Sequence, residues 1–225
     1  MNLVMISQTL LFRGTTPQEA DAMLNCLGAY TRSYTKGEMI CRTGEPFNTM
    51  AMVLSGGVTI ESDDVWGNRS ILSHVGAGEV FAETYACLPG QPLLVNAVAS
   101  ESSEILFMEM GKLLTLCPGG CSYHNRLIQN LLTLTARKNL TLSRRILHTS
   151  AKSIRGRLLS YFSEQALLQG GYRFSIPFNR QQLADYLNVD RSALSNELSK
   201  MQKEGLLKVD KSRFELMYDS HGFGS

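Results

Sequence analysis

Four polar side chains stand close together near the start of one short amphipathic segment late in the chain. They are Arg191, Ser192, Ser195 and Asn196. An arginine can grip the O6 and N7 edge of guanine, an asparagine can grip the N6 and N7 edge of adenine, and a serine can hydrogen-bond to either base. These residue types at this spacing are therefore candidates for reading base edges in a nucleic acid.

Further polar and basic side chains flank that segment and suit contacts to phosphate groups, which position a protein on a duplex without reading its sequence. They are Asn179, Arg180, Gln181, Lys200, Lys203 and Lys211. The net charge of +2 conceals an asymmetry, because residues 1–120 carry −6 and residues 121–225 carry +8. A basic half indicates a polyanionic partner, although charge alone does not distinguish this from chance distribution of surface charge.

The elements that must position these side chains are two short helices with a break at Asn188. Apolar residues recur at helical spacing in both helices: Leu183, Ala184 and Leu187 in the first, and Leu194, Leu198 and Met201 in the second. Asn188 tolerates a left-handed turn, and Asp190 can cap the second helix. A hairpin over 206–209 and 213–217 follows. This pattern predicts a winged helix-turn-helix that lays its second helix in a DNA major groove, rather than a helical hairpin with an ordinary polar face.

The first half of the chain has a different texture. Residues 30–110 alternate short β-prone runs with turn residues about every 8–12 positions, which indicates an all-β sandwich or barrel. A short amphipathic helix over 16–29 precedes these runs, with Pro17 in its first turn. The sequence therefore predicts a β domain followed by a helical, basic domain.

Between these parts, residues 123–148 contain no proline or glycine and predict one long helix. Two apolar stripes run along it: Leu127, Leu131 and Leu134 form one, and Ile128, Leu132, Thr135, Leu142 and Ile146 form the other. One stripe can pack on the β domain while the other meets a partner helix, which favours a homodimer over a helix buried in a monomer. The candidate dimer-helix residues are Ile128, Leu131, Leu134, Thr135 and Leu142.

The composition limits the cellular locations that we expect for the protein. No run reaches the roughly 18 apolar residues that a membrane helix needs, and the N-terminal residues do not resemble a secretory signal. We therefore expect a cytoplasmic protein without a membrane partner. Its five cysteines are expected to be reduced thiols that mostly pack in the interior.

The chain resembles the CRP/FNR family of bacterial transcription regulators along nearly its whole length. The segments that carry the resemblance are KGEMICRTGE at 36–45, MVLSG at 52–56, GEVFAE at 78–83, RQQLADYL at 180–187 and DRSALS at 190–195. The four candidate base-reading residues fall where family members read bases. The family often has Glu where Ser192 stands and Arg where Asn196 stands, so the preferred DNA sequence of known members is not assigned to this chain.

The resemblance implies an α+β fold of three parts: an antiparallel, jelly-roll-like β-roll that senses an effector at 1–120, a long dimerisation helix at 121–148, and a winged helix-turn-helix DNA-binding domain at 149–225. It also implies a homodimer on a two-fold-symmetric operator in double-stranded DNA. The two recognition helices would enter successive major grooves, about 34 Å apart. An activator of this kind would also contact RNA polymerase.

In this family the effector pocket lies between the GEVFAE cassette and the long helix. The corresponding lining residues are Glu79, Phe81, Glu83, Leu94, Asn96, Leu127 and Leu131. Leu93 and Leu94 stand where members that bind cyclic AMP have an Arg-Ser pair. A phosphate buried against two leucines lacks a compensating charge, which is costly. We therefore predict an unknown small effector that is not a cyclic nucleotide, or none, and no certain cofactor.

Other sensing chemistries are weaker alternatives. Cys117 and Cys121, with His124 three residues later, could form a thiol switch or a metal site, although they supply only three ligands and also fit a turn with packed thiols. A haem sensor would need an axial ligand, and His74 is the only histidine of residues 30–110.

Two rival functional classes fit the sequence less well. A cupin-like enzyme needs clustered histidines and carboxylates inside its barrel, and the single His74 does not supply such a cluster. No P-loop and no Ser-His-Asp order is present either, so we expect no enzymatic activity. The second rival is a scaffold whose winged helix binds a protein, which predicts no steep loss of DNA affinity with salt.

Overall fold

The computed structural model describes residues 2–63, 66, 69–88, 90–114 and 122–217. It consists of two compact units, which we call the N-terminal unit (Met1–Thr135) and the C-terminal unit (Ala136–Ser225). The predicted α+β class, with an antiparallel β-roll, a long helix and a winged helix-turn-helix, is confirmed. The border between the units falls within the long helix, whereas the three-part division at 120 and 148 remains a prediction.

The N-terminal unit begins with two short helices. Helix α1 (Leu3–Gln8) was not predicted from the sequence, whereas α2 (Pro17–Cys26) was. The start of α2 is defined by a capping box, in which Thr16 and Glu19 each bond to the other's backbone amide, with Pro17 in the first turn.

Eight strands form two four-stranded antiparallel sheets. In chain order they are β1 (Tyr30–Tyr34), β2 (Met39–Cys41), β3 (Thr49–Ser55), β4 (Gly57–Asp63), β5 (Arg69–Gly76), β6 (Val80–Phe81), β7 (Asn96–Ala99) and β8 (Ser103–Glu109). The first sheet has the order β1-β8-β3-β6, and the second has the order β2-β7-β4-β5. The first sheet therefore forms one wall of the roll and the second sheet forms the other.

The first sheet separates two apolar cores because successive side chains of a strand point to opposite faces. Met50 and Met52 of β3 pack with residues of α1, α2 and the long helix. Ala51 and Val53 of the same strand pack with the second sheet, inside the roll. The N-terminal unit thus has a helix-facing core and a separate roll interior.

Three helices complete this part of the chain: α3 (Glu83–Cys87), α4 (Met110–Leu114) and the long α5 (Ser122–Thr149). Leu127, Leu131 and Leu134 of α5 are buried in the helix-facing core, as one predicted stripe requires. The ties of α5 to the N-terminal loop include Asn130, whose amide donates to the carbonyls of Leu11 and Arg13 at 2.9 Å. Leu131 and Leu134 are therefore covered within the N-terminal unit, and their assignment to a dimer contact remains a prediction.

The C-terminal unit holds three further helices and a small sheet. Its elements after α5 are α6 (Ile154–Leu168), β9 (Arg173–Ser175), α7 (Arg180–Leu187), α8 (Arg191–Lys203), β10 (Leu207–Asp210) and β11 (Arg213–Leu216). The sheet order is β10-β11-β9, and its hairpin β10–β11 is the predicted wing. The core is aromatic: the ring of Phe162 packs at a tilt against Phe174 and Phe214, with centroids 5.8 and 4.5 Å away, and the rings of Phe174 and Phe214 stack on each other at 6.0 Å.

Candidate nucleic-acid interface

The turn between α7 and α8 has the geometry that the sequence predicts. Asn188 closes α7 in the left-handed conformation, with φ 54° and ψ 56°. Asp190 caps α8, where its carboxylate accepts from the backbone amides of Ser192 and Ala193. Arg157 of α6 donates to the carbonyls of Leu187 and Asn188 at 3.0 and 2.9 Å, and so braces the turn. The turn between the two helices is therefore held by local capping and by one half-buried cation, Arg157.

Ser192 and Asn196 lie on the side of α8 opposite its buried leucines, whereas Arg191 and Ser195 lie at the edge between the two sides. Arg191, Ser192 and Asn196 are exposed, and Ser195 is half-buried. Within the described part of the chain, Arg191 and Asn196 side chains make no hydrogen bond or ion pair. The start of α8 thus presents one cation and one amide that are available to a ligand.

A second arginine of α6, Arg155, binds carboxylates within α8 and at its C-terminal end. Arg155 donates to Glu197 at 2.6 Å and, through two nitrogens, to Glu204 at 2.7 and 2.9 Å. These hydrogen bonds lower the pKa of Glu204. A guanidinium that binds a carboxylate through two nitrogens restricts the orientation of both side chains, in addition to the attraction between their charges. Sequence reasoning missed Arg155 because the carboxylates that it binds, those of Glu197 and Glu204, are 42 and 49 positions away in the chain.

Three of the six candidate phosphate-binding residues line one groove between the start of α7 and the wing. They are Asn179, Arg180 and Lys211. Asn179 uses its oxygen to cap α7, and Arg180 is half-buried over the ring of Phe214 at 5.4 Å, where burial lowers its pKa. Lys211 is exposed at the wing turn with φ 55°. The groove therefore combines two cationic side chains with the N-terminus of a helix.

The other three phosphate candidates do not line this groove. Gln181 is exposed but donates to Asp185 at 2.8 Å within α7. Lys200 and Lys203 are exposed in the last turns of α8. Their charges lie farther along the same recognition helix.

A buried polar network ties the end of α5 to α6 and α7. His148 is fully buried, with its Nδ1 2.9 Å from the Tyr186 hydroxyl and its Nε2 3.1 Å from a Glu164 carboxylate oxygen. The other oxygen of Glu164 lies 3.1 Å from Arg144. Arg145 donates to the carbonyls of Tyr186 and Asp185, at the end of α7. The network has no short motif in the sequence, because its members come from three helices.

The titration of His148 gives a testable pH dependence. Burial lowers the pKa of His148, opposed by the Glu164 carboxylate and reinforced by Arg144. The folded protein therefore protonates His148 less readily than the unfolded chain, in which an ordinary histidine has a pKa of about 6.5. The stability of the C-terminal unit should accordingly be full above about pH 7 and fall as the pH drops through about 6.5, by at most about 1.4 kcal/mol per pH unit from this residue.

The measurement is the urea midpoint of the protein between about pH 7.5 and 5.5, compared with that of His148→Gln. The variant keeps a polar side chain but cannot titrate, so its midpoint should vary less over this range. Equal pH dependence of the two proteins would contradict the role given to His148.

The second predicted stripe of α5 is exposed, unlike the first. Its large members are Ile128 at 39 %, Leu132 at 69 %, Leu142 at 61 % and Ile146 at 68 % exposure. Thr135 and Asn139 continue the stripe, so its residues recur with alternating steps of four and three. Such steps are those of a two-helix seam. Asn139 was not recognised from the sequence, although the heptad spacing would have found it.

The candidate effector residues do not come together in one place. Phe81 lies in the roll interior, whereas Leu127 and Leu131 lie in the helix-facing core, on the other side of the first sheet. Glu79 is exposed and accepts from the amide of Gly76 at 2.8 Å. The residues that the resemblance assigns to one effector pocket are therefore separated, because alternate residues of a strand face opposite sides of the sheet and α5 packs on only one of these sides.

The remaining members occupy three further environments. Glu83 is buried at the start of α3, and Leu94 is 72 % exposed. Asn96 is buried and bonded at both ends, since it accepts from the amide of Thr43 and donates to Asp63, each at 2.8 Å. It lines a small groove with these partners.

Leu93 and Leu94 already have packing and hydrogen-bond partners within the N-terminal unit. Leu93 is buried in the roll interior, and its amide donates to the carbonyl of Glu45 at 3.1 Å. The amide of Leu94 donates to the Tyr85 hydroxyl at 3.2 Å. Neither side chain offers a charge to a phosphate, and both amides already have acceptors.

Only some of the residues considered for thiol, metal or haem sensing lie within the described ranges. Cys117 and Cys121 lie outside the described residues, His124 is buried and His74 is exposed on the edge strand β5. No group of three potential metal ligands occurs among the residues that the structure describes. No helix in the described ranges is long and apolar enough to span a membrane.

Comparisons with known proteins agree with this architecture. Residues 31–118 match the family model of the cyclic nucleotide-binding domain, and residues 156–217 match that of the Crp-like helix-turn-helix domain. The cyclic AMP receptor protein of Thermus thermophilus is 27% identical over 210 residues, which cover 92% of this chain and 91% of that protein. Electron transport regulator A of Shewanella oneidensis is 26% identical over 194 residues, with 83% and 74% covered.

Solved structures share the fold at lower identity. The catabolite activator protein of Thermus thermophilus aligns with a TM-score of 0.51 and 24% identity, covering 93% of this chain and 94% of that one. The c-di-GMP-responsive global regulator CLP of Xanthomonas campestris aligns with a TM-score of 0.59 and 18% identity, covering 91% and 100%. At these identities the likeness is one of fold.

Proposed function

Since the chain belongs to the CRP/FNR family of DNA-binding transcription regulators, we propose that it acts as a cytoplasmic homodimer on a two-fold-symmetric operator. The observation that carries the proposal is the start of α8, where Arg191 and Asn196 are exposed and have no side-chain partner among the described residues, while Leu194, Leu198 and Met201 of the same helix are buried. Free bidentate side chains on such a helix are suited to base edges in the major groove. Contact with RNA polymerase belongs to this proposal if the protein is an activator.

Dimerisation through α5 is supported by its exposed stripe. Residues 128, 132, 135, 139, 142 and 146 alternate steps of four and three, which keeps them on one side of a supercoiled helix pair. Asn139 occupies a core position of this seam, where one polar residue specifies register and two-strandedness at some cost in stability. A second copy of α5 is the partner with the same spacing.

The effector part of the proposal concerns the N-terminal unit. The hypothesis is that a small molecule in the β-roll shifts the α5 helices, which re-aim the recognition helices. A cyclic nucleotide is disfavoured as that molecule because Leu93 and Leu94 replace the phosphate-binding pair and their amides are already bonded. A thiol- or metal-responsive mechanism through Cys117, Cys121 and His124 is the alternative.

Replacing Arg191 by alanine is expected to lower operator affinity by about 5- to 150-fold, the equivalent of losing one bidentate base contact. Affinity for unrelated DNA should change little, because phosphate contacts remain. The measurement is a fluorescence-anisotropy titration with a duplex selected by the wild-type protein, with and without cyclic AMP, which should alter neither affinity.

The matched control is Arg13→Ala, which removes the same charge from an exposed position of the N-terminal unit. It should bind as the wild-type protein does. Unchanged operator binding by Arg191→Ala would remove the basis for base reading by α8. A DNA affinity that does not fall with added salt would favour the protein-binding scaffold.

A further inference from the structure

We propose that Arg145 is a positioning residue, which ties the helix-turn-helix to the dimerisation helix and thereby sets the half-site spacing that the dimer accepts. The inference rests on the proposed function, since a spacing has meaning only for a dimer on a two-fold-symmetric operator. It gives a role in operator choice to a residue of α5, outside the two helices of the helix-turn-helix.

Four successive carbonyls at the end of α7, those of residues 185–188, accept hydrogen bonds from two arginines. Arg145 of α5 donates to the first two at 3.0 and 3.1 Å, and Arg157 of α6 donates to the last two at 3.0 and 2.9 Å. The last carbonyls of a helix lack partners within the helix, and the negative end of the helix dipole attracts cations there. The C-terminus of α7 is therefore bound to both of the helices that precede it.

The two arginines differ in what they connect to α7. Arg157 also donates to the carbonyl of Ala151 at 2.9 Å, so it joins α7 to α6 and to the link between α5 and α6. Arg145 joins α7 directly to α5, and its guanidinium also lies over the ring of Tyr186, with 5.8 Å between Cζ and the ring centroid. Arg145 is therefore the arginine that fixes the backbone of α7 to the dimerisation helix.

The part of α5 that carries Arg145 also carries the last two large residues of the exposed seam, Leu142 and Ile146. A second copy that pairs along this seam would place its own Arg145 at the same level of the helix pair. Each guanidinium would then hold one helix-turn-helix at a defined distance and rotation from the two-fold axis. Because the two recognition helices must enter successive major grooves, that distance and rotation select the half-site spacing.

A further contact between α5 and α7 would remain without Arg145. The Nδ1 of His148 lies 2.9 Å from the Tyr186 hydroxyl, and the apolar core of the C-terminal unit joins α6 to α7. The contact to the hydroxyl is made at the tip of one side chain, whereas Arg145 binds two backbone carbonyls through two nitrogens. Loss of Arg145 should therefore leave α7 and α8 folded but able to tilt relative to α5. The expected defect is tolerance of other spacings, with base reading retained.

The test is a fluorescence-anisotropy titration of the full-length protein with half-sites from a duplex that the wild-type protein selects. The duplexes carry two half-sites at the selected spacing, two half-sites with one base pair added or removed, or a single half-site. One base pair moves a half-site by about 3.4 Å and rotates it by about 35° around the axis. The wild-type protein should lose about 10-fold or more in affinity at either altered spacing, and Arg145→Gln less than about threefold. Both proteins should bind the single half-site equally.

The matched control is Arg137→Gln, which removes the same charge from an exposed position of the same helix and should keep the wild-type spacing dependence. Arg145→Lys is a second test variant. It keeps the cation, but a lysine lacks the planar fork that binds two carbonyls at once, so it should also relax the spacing preference. This variant decides the test if Arg145→Gln does not fold.

The outcomes separate the inference from the function beneath it. If the wild-type protein selects no two-fold-symmetric duplex, or binds all spacings equally, the proposed function fails. If the wild-type protein is selective and the Arg145 variants are equally selective, the inference fails while the regulator remains. Weaker binding of Arg145→Gln to the single half-site, in parallel with every other duplex, would also overturn the inference, because it would show a lost DNA contact and not a lost position.

Discussion

Replacing Leu142 by glutamate is expected to convert the protein to a monomer and to lower its affinity for a symmetric operator by about 100-fold or more. Leu142 lies in the exposed seam of α5, where 61% of the residue is exposed in the isolated chain. Two glutamates facing each other in a helix pair would bury like charges without partners, which is costly. A monomer binds one half-site and loses the high effective concentration of the second recognition helix.

The matched control for this experiment is Leu147→Glu. Leu147 is equally exposed at 63% and lies on the same helix, but it falls outside the seam positions. Analytical ultracentrifugation should show a dimer for the wild-type protein and for Leu147→Glu, and a monomer for Leu142→Glu. A Leu142→Glu variant that remains dimeric would place the subunit interface elsewhere.

Replacing Phe162 by alanine is expected to destabilise the C-terminal unit by about 3–5 kcal/mol. Phe162 is fully buried, and its ring packs against Phe174 and Phe214 from two strands of the small sheet. Its removal leaves a cavity among aromatic rings that the surrounding elements cannot fill without moving. A loss of this size is a large fraction of the stability of a small domain, so DNA binding should be lost near body temperature.

The measurement is the denaturant midpoint of far-UV circular dichroism, with Leu168→Ala as the control. Leu168 lies at the end of the same helix and is 59% exposed, so its truncation should change stability by no more than about 0.5 kcal/mol. Similar midpoints for the two variants would contradict the central role of Phe162 in this core.

Elements whose shape depends on nearby residues were predictable from the sequence. The helix-turn-helix follows from Asn188 at the turn, Asp190 at the cap and leucines at helical spacing, and all three have the predicted places. The long helix follows from an uninterrupted run without proline or glycine. The two stripes of α5 were also separable, because helical periodicity assigns each residue to a face.

The assignment of individual stripe residues needed the tertiary structure. Leu131 and Leu134 are apolar and recur at helical spacing, as the residues of the exposed stripe do. Their side of α5 nevertheless packs against the first sheet and α2. Periodicity shows that two faces are apolar, but it does not show which of them the subunit itself covers.

The sequence by itself determined the helix-turn-helix, the all-β character of residues 30–110 and the two apolar stripes of α5, because capping, strand alternation and helical spacing act between neighbours in the chain. Only the tertiary structure decided that Leu93 is buried and Leu94 exposed, that Phe81 and Leu127 face opposite sides of one sheet, and that Arg155 holds α8 from behind. The physical reason is distance along the chain: these contacts join residues whose proximity depends on how sheets and helices pack.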